Sequence, residues 1–148
     1  GASLVSAQLL KAKLDGANLS QARVACDLTQ ASLTKARLDG INMTDGKPAR
    51  ESRRHPFVLR SANLDGASIT HAGLIGAVLE FASLKNANLS GSILAGASLS
   101  GADFGGATVD QTDFNGADMN SAHIEALAGL DKALNLDKAR NLDRAFAK

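Results

Sequence analysis

The side chains best suited to chemistry are one cysteine, Cys26, and three histidines, His55, His71 and His123. A single thiol makes no intrachain disulfide and no multi-thiolate metal site. Cys26 also stands where the surrounding sequence places alanine, so it reads as a small buried apolar group rather than a reactive thiol. The histidines fall at unrelated repeat positions, and no Ser-His-Asp or Cys-His set can be drawn around them. No GxxxxGK[ST] or GxGxxG cradle for phosphate occurs in a suitable context. The sequence therefore predicts a non-enzyme, with no catalytic, cofactor-binding or metal-ligating residues. An enzyme would need metal or ligand held near His71 or His123. What remains is binding chemistry. Lys47, Arg50, Arg53 and Arg54 gather four positive charges between Thr44 and Pro56, a stretch with two prolines and a glycine. Such a segment suits a loop that recognises an acidic partner or a phosphate.

Positioning these groups falls to a repeat. Leu4, Leu9, Leu14, Leu19 and Val24 open an apolar column with a step of five. After one four-residue step come Leu28, Leu33, Leu38 and Met43. The column resumes at Leu59 and runs in fives to Ile124. All 23 positions are apolar, and alanine stands two residues before 18 of them, the exceptions being Cys26, Ile41, Phe57, Ser92 and Thr112. Glycine recurs two residues after the column, as at Gly16, Gly66, Gly91 and Gly101. A period of five suits neither a helix nor an extended strand. Two inward residues spaced by two, then a corner at positive φ, wind the chain into a coil. Successive coils stack at ~4.8 Å, each amide bonding to the coil above or below. Composition agrees: the chain is 45% hydrophobic but only 3% aromatic, with no Trp or Tyr, so its core is built from small or straight pieces. No apolar run approaches the ~20 residues of a membrane span, and no cleavable signal pattern opens the chain. The first residues lack an initiator Met and already fit the repeat, so an excerpt or a processed product is expected.

Ala17-Asn18-Leu19-Ser20-Gln21, Ala62-Asn63-Leu64-Asp65-Gly66, Ala87-Asn88-Leu89-Ser90-Gly91 and Ala102-Asp103-Phe104-Gly105-Gly106 resemble the A(D/N)LXX unit of the pentapeptide repeat family. The resemblance covers about residues 2–43 and 57–124. It implies an all-β solenoid, a right-handed quadrilateral β-helix with four pentapeptides per coil. The units then make about six coils, a square rod roughly 27 Å long from the strand spacing. The domain expectation is a β-helix over 1–124 with an inserted loop at 44–56, and a C-terminal cap over 125–148. A bacterial, cytoplasmic setting is expected.

Three departures interrupt the pattern. The four-residue step between Val24 and Leu28 reads as a tightened corner. Residues 44–56 read as a loop thrown out of one corner, either simply solvated or used for docking. Beyond 124 a six-residue repeat appears in Leu130-Asp131-Lys132-Ala133, Leu136-Asp137-Lys138-Ala139 and Leu142-Asp143-Arg144-Ala145. Its composition favours helix. Split near Asn135, it offers a stripe of Leu127, Leu130 and Leu134 and a second of Leu136, Ala139, Leu142 and Phe146. The expectation is a short α-helical cap, with a dimerisation element as the alternative implied by the family.

Charge divides along the chain: +5 over residues 1–60, −5 over 61–124 and +1 over 125–148. Such a field steers association without naming a partner. Apolar residues break the polar exterior at Val58, Ile75, Val78, Phe81 and Ile93. With four units per coil, Val58 and Val78 share one outward column, Phe81 lies at that face's far corner, and Ile75 and Ile93 sit on the neighbouring face. This patch either seats the loop or meets a second chain. The functional expectation is a scaffold that presents Lys47, Arg50, Arg53, Arg54, Ile75, Val78 and Phe81 to a protein partner. A homodimer through the patch or the C-terminal segment is the alternative state. Neither membrane nor nucleic acid is expected as partner, because no aromatics lie beside the basic residues to stack bases. The resemblance also brings a runner-up, the members that bind gyrase and protect it from quinolones by imitating DNA. That imitation needs a continuous acidic surface, and this chain has an acidic half only. A spacer domain within a larger protein is the third alternative.

Overall fold

Pairing between main-chain segments of the computed structural model, described over residues 2–42 and 57–146, follows four columns of parallel bridges. The first runs Ser3, Arg23, Asn42, Gly73, Ile93, Asp113, Leu134. The second runs Gln8, Asp27, Val58, Val78, Ser98, Asp118, Arg140, and the third Lys13, Ser32, Asn63, Ser83, Asp103, His123, Phe146. The fourth runs Asn18, Arg37, Ser68, Asn88, Thr108, Ala128. These columns are called faces 1 to 4 here, and one passage across them a level. Every bridge among the described residues is isolated, a single residue long. Met43 and the segment 44–56, with Lys47, Arg50, Arg53, Arg54 and His55, lie outside the described residues.

One unit explains all the others. The N–H of Leu89 donates to Thr108 O (2.8 Å) and that of Gly91 to Asp110 O (2.9 Å), both on the next level. Ser92 N–H closes the corner on Leu89 O (2.9 Å), and Ile93 N–H reaches back to Ala72 O (2.9 Å). The chain thus spends its donors on the levels before and after it and turns between faces without leaving buried amides unpaired. The turn needs a left-handed residue at every fifth position. Glycine supplies it at Gly66, Gly76, Gly91 and Gly101, but Gln30, Lys35, His71, Phe81 and Asn86 adopt the same conformation, with φ from 52° to 59°.

Between the levels the Leu and Ala columns are sealed. Leu64, Leu74, Leu84, Leu89, Leu94 and Leu99 are fully buried, with Ala72, Ala77 and Ala97 beside them. Phe104 and Phe114 meet edge to face, centroids 6.5 Å apart. The exceptions in the Ala column are buried too. Ser92 Oγ accepts from Ala72 N–H at 3.0 Å and donates to Ile69 O. Thr112 Oγ1 donates to Leu89 O at 2.8 Å. Their hydroxyls are partnered by the backbone, so their burial carries little penalty. Ile41 and Phe57 flank the interruption of the Leu column and supply apolar volume there; both are fully buried.

Val24 to Leu28 links face 1 to face 2 on the second level; on the third, Asn42 stands on face 1 and Val58 on face 2.

The C-terminal expectation is corrected. No α-helix occurs among the described residues beyond 124; instead three 3₁₀ helices form at Leu130–Lys132, Leu136–Lys138 and Leu142–Arg144. Gly129, Asn135 and Asn141 precede them in left-handed conformation. Each helix is then closed by the following Ala N–H, as from Ala139 to Leu136 O at 3.0 Å. The left-handed residue breaks any longer helix, and the six-residue unit is a pentapeptide with a wider corner. Leu134, Arg140 and Phe146 continue faces 1 to 3 as a further parallel level. The stripe of Leu127, Leu130 and Leu134 does not exist, because Leu130 and Leu134 point outward. Leu136, Ala139 and Leu142 do pack on the core, while Phe146 is exposed.

Leu89→Ala should lower unfolding free energy by about 2–5 kcal/mol in urea titrations, because the rigid levels on either side cannot collapse into the cavity. Leu14→Ala, on the half-buried first level, should cost clearly less.

Candidate functional site

Most polar side chains of the faces hold corners rather than ligands. Where the face residue is Asp or Asn, its carboxyl or amide oxygen accepts the N–H two residues on: Asn88 from Ser90, Asp103 from Gly105 and Asp113 from Asn115, each at 3.0 Å. Where the face residue is Ser, a corner aspartate of the preceding level takes over. Asp15 accepts from Ser32 Oγ and Thr34 N–H, Asp39 from Ser68 Oγ and Thr70 N–H, and Asp65 from Ser83 Oγ and Lys85 N–H. The repeat thus has two ways to close the same turn, one within a unit and one between levels.

These bonds set the carboxyl acidities. The Ser32 hydroxyl, helped by Thr34 N–H, holds Asp15 below the usual carboxylate range. Partial burial pushes Asp39 the other way, but bonds from Ser68 and Thr70 prevail and its pKa is lowered. Cys26 is pushed up to about 11 by burial, with Asp27 adding to the effect, so at neutral pH it is a thiol and not a nucleophilic thiolate.

The acidic half of the surface is answered by the last level. Lys132 Nζ lies 3.4 Å from Asp110, Asn135 Nδ2 donates to Asp113 at 2.9 Å, and Asn141 Nδ2 donates to Asp118 at 2.8 Å. The Asn141 bond is the main reason that the Asp118 carboxyl is held below its ordinary value, against partial burial. One level earlier, Lys85 sits 3.1 Å from Asp103. The sequence showed these carboxylates only as part of a negative field; the tertiary structure pairs them with amides and cations.

The apolar residues are brought together more closely than expected. Ile75 occupies the corner between faces 1 and 2 rather than the neighbouring face. Val78 lies on face 2, and Phe81 stands at the corner between faces 2 and 3. Val58 is bridged to Val78 one level before, and Ile93 lies on face 1 one level after. Ile75 is 63% and Phe81 64% exposed, unusual values for side chains of this size. Phe81 does not swing free. A Cβ placed on Gly101 would meet its ring at 2.6 Å, so the ring lies across the bare backbone of the next corner. Asn42 and Val58, the bridged residues on either side of the undescribed stretch, lie on faces 1 and 2 one level before Ile75. Leu10, exposed on the first level, was not singled out from the sequence; its corner position carries no periodic signal.

His71 rests against Gly91 and His123 stacks on Phe146, centroids 5.1 Å apart. His71 stands at the corner between faces 4 and 1, whereas His123 lies on face 3. Among the described residues no three His, Cys, Asp or Glu side chains are grouped to hold a metal ion, and no helix is long and apolar enough to cross a membrane.

Four ladders of parallel bridges around one apolar axis define a β-helical repeat protein. The family model described as pentapeptide repeats matches residues 74–108 and 97–125. Over residues 74–125 the chain carries pentapeptide repeats. Among solved structures it is similar to full-length QnrB1, a plasmid-mediated fluoroquinolone resistance protein, with a TM-score of 0.66 and 16% identity over 99% of this chain and 72% of that one. A pentapeptide repeat protein from the thylakoid lumen of Arabidopsis thaliana matches at TM-score 0.42 and 22% identity, over 80% of this chain and 69% of that one. HetL, a pentapeptide repeat protein involved in heterocyst differentiation regulation from Nostoc sp. strain PCC 7120, matches at TM-score 0.37 and 23% identity, over 98% and 74%. The likeness to QnrB1 establishes the fold alone. No curated protein matches the chain significantly.

Two predictions follow from this geometry. Because the folded-state acidities of Asp15, Asp39 and Asp118 are raised above those of the unfolded chain, their contribution to stability is fully present above the ordinary carboxylate pKa near 4 and drains away as pH falls below it. Urea titrations between neutral and acid pH should show that loss, and Asn141→Ala should make it shallower. Gly101→Ala should cost about 1–2 kcal/mol for its left-handed backbone and more for the Phe81 collision. Adding Phe81→Ala should recover the collision part, visible as non-additivity in a double-mutant cycle.

Proposed function

We propose that the chain is a non-catalytic binding scaffold. In this reading residues 1–124 form a right-handed quadrilateral β-helix of about six coils, and residues 125–148 cap it. The rod presents its apolar patch, and the basic residues Lys47, Arg50, Arg53 and Arg54 of the insertion, to a protein partner whose contact region is apolar with an acidic rim. The observation that carries the reading is the run of Ile75, Val78 and Phe81 along one level, with Ile75 and Phe81 largely exposed. A rigid wall of backbone hydrogen bonds keeps such a patch preorganised, which lowers the entropy cost of docking. Exposed aromatic and aliphatic anchors of this kind dominate binding energy where they are buried by a partner.

Affinity capture tests this reading. Wild type should retain a partner that is lost from Phe81→Ser and equally from a chain lacking residues 45–56. Equal recovery from all three proteins would overturn it. Light scattering on Phe81→Ser separates self-association from a foreign partner, since a homodimer through the patch should revert to monomer mass.

Likeness to the QnrB1 fold favours a second reading, binding to gyrase by imitating DNA. Its requirement is a run of free negative charge in place of phosphates. Asp103, Asp110, Asp113 and Asp118 are instead partnered by Lys85, Lys132, Asn135 and Asn141. Relief of quinolone inhibition in a gyrase supercoiling assay would favour the second reading over the first.

A further inference from the structure

Face 2 offers a long stretch whose charges are already engaged within the chain. From the third level to the sixth, its described residues and those of the corners beside it hold three charged side chains, Arg60, Glu80 and Asp118. Arg60 lies 2.8 Å from Glu80, which also accepts from Ser98 Oγ at 2.9 Å. Asp118 accepts from Asn141 Nδ2 at 2.8 Å and from Asn120 N–H at 3.1 Å. Bulk and recess alternate along this stretch. The fourth level carries Ile75, Val78 and Phe81, with Ile75 and Phe81 largely exposed. The fifth places Ala95 and Gly96 at the Ile75 corner, Ser98 next to Val78, and Ser100 and Gly101 at the Phe81 corner. A Cβ on Gly96 would meet nothing within 4 Å, so that corner is open. One level is a ridge and the next a step, ~4.8 Å apart.

Two further charges flank the stretch on the same face. Asp27 stands on face 2 at the second level and Arg140 on face 2 at the seventh. Neither lies within ion-pairing distance of an opposite charge among the described residues. The second and seventh levels are equally far from the boundary between the fourth and the fifth. A two-fold axis laid across face 2 at that boundary therefore sets ridge on step and Asp27 on Arg140 at once.

We propose that two copies of this chain pack face 2 against face 2 with their rods antiparallel. Ile75 of each copy meets Ala95 and Gly96 of the other, Val78 meets Ser98, and Phe81 meets Ser100 beside Gly101. Asp27 meets Arg140 twice, once on each side of the axis. The contact is isologous and closes at two copies. Charge selects the direction, since parallel rods would set Asp27 on Asp27 and Arg140 on Arg140, and like charges across an interface are costly. Area points to a second rod. The three side chains of the ridge fall well short of the ~800 Å² per partner of a standard interface, whereas a second rod covers six levels from Asp27 to Arg140, a length of about 24 Å. This inference rests on the reading of the apolar patch as a contact surface and names its partner.

Sedimentation velocity and light scattering on the 148-residue chain test it. The mass should rise with concentration from 15.2 kDa to twice that value and stop there. Arg140→Glu should weaken the dimer about tenfold or more, and adding Asp27→Arg to the same chain should restore it. A second arm leaves the charges in place. A Val78→Cys chain mixed with a Ser98→Cys chain should form a disulfide-linked pair on oxidation, and neither chain should link to itself; the native Cys26 is buried. A mass that stays at 15.2 kDa at every concentration overturns the proposal, and the scaffold reading then stands or falls on its own capture experiment. So does an Arg140→Glu chain that dimerises like wild type. A Val78→Cys chain that links to itself also overturns it, because the contact would then be centred on the fourth level.

Discussion

Everything in this molecule depends on one hydrogen-bonding arrangement: a backbone that turns a corner every five residues while its amides bond to the levels on either side. The arrangement demands a left-handed residue at each corner. It also leaves a narrow interior that only a column of Leu-sized side chains and a column of Ala-sized ones can fill. Burial of those columns provides the driving force, and the ladders make the burial geometrically specific. Glycine eases the corner but is not indispensable. Lys35, His71 and Phe81 hold the same conformation, so packing and bonding from neighbouring levels outweigh the ~1–2 kcal/mol local preference against it.

Polar side chains serve that backbone first. Asp and Asn on the faces, and Asp at the corners of the preceding level, are two solutions to the same unmet need, the N–H at the start of the turn. The sequence shows both as scattered acidic and amide residues, and only their partners reveal the division of labour. The same holds for the acidic stretch that ends the pentapeptides. Its carboxylates look like a charged field in one dimension and become the seat of the last level in three. That pairing is why surface imitation of a polyanion is a weak reading of this chain despite the likeness of fold to QnrB1.

A solenoid of this type separates stability from recognition. The core is nearly uniform along the axis, so variation at the corners and faces is free to carry specificity. Phe81 illustrates the economy of the design: its ring lies on the bare backbone of Gly101, held in place yet still largely exposed. A flexible side chain would lose more entropy on docking.

The sequence by itself determined the two inward columns, their period, the placement of Cys26 as a buried apolar group and the site of the interruption. Those follow from chain-local constraints, because each unit repeats the same demand on residue size. It could not determine the C-terminal segment, where composition pointed to α-helix. Asn135 and Asn141 take left-handed conformations there because Asp113 and Asp118, more than twenty residues away, receive their amides. Nor could it place Ile75 at a corner beside Val78 and Phe81, or show which carboxylates were already bound. Such facts depend on which level stacks on which, a register set by contacts about twenty residues apart that no local pattern records.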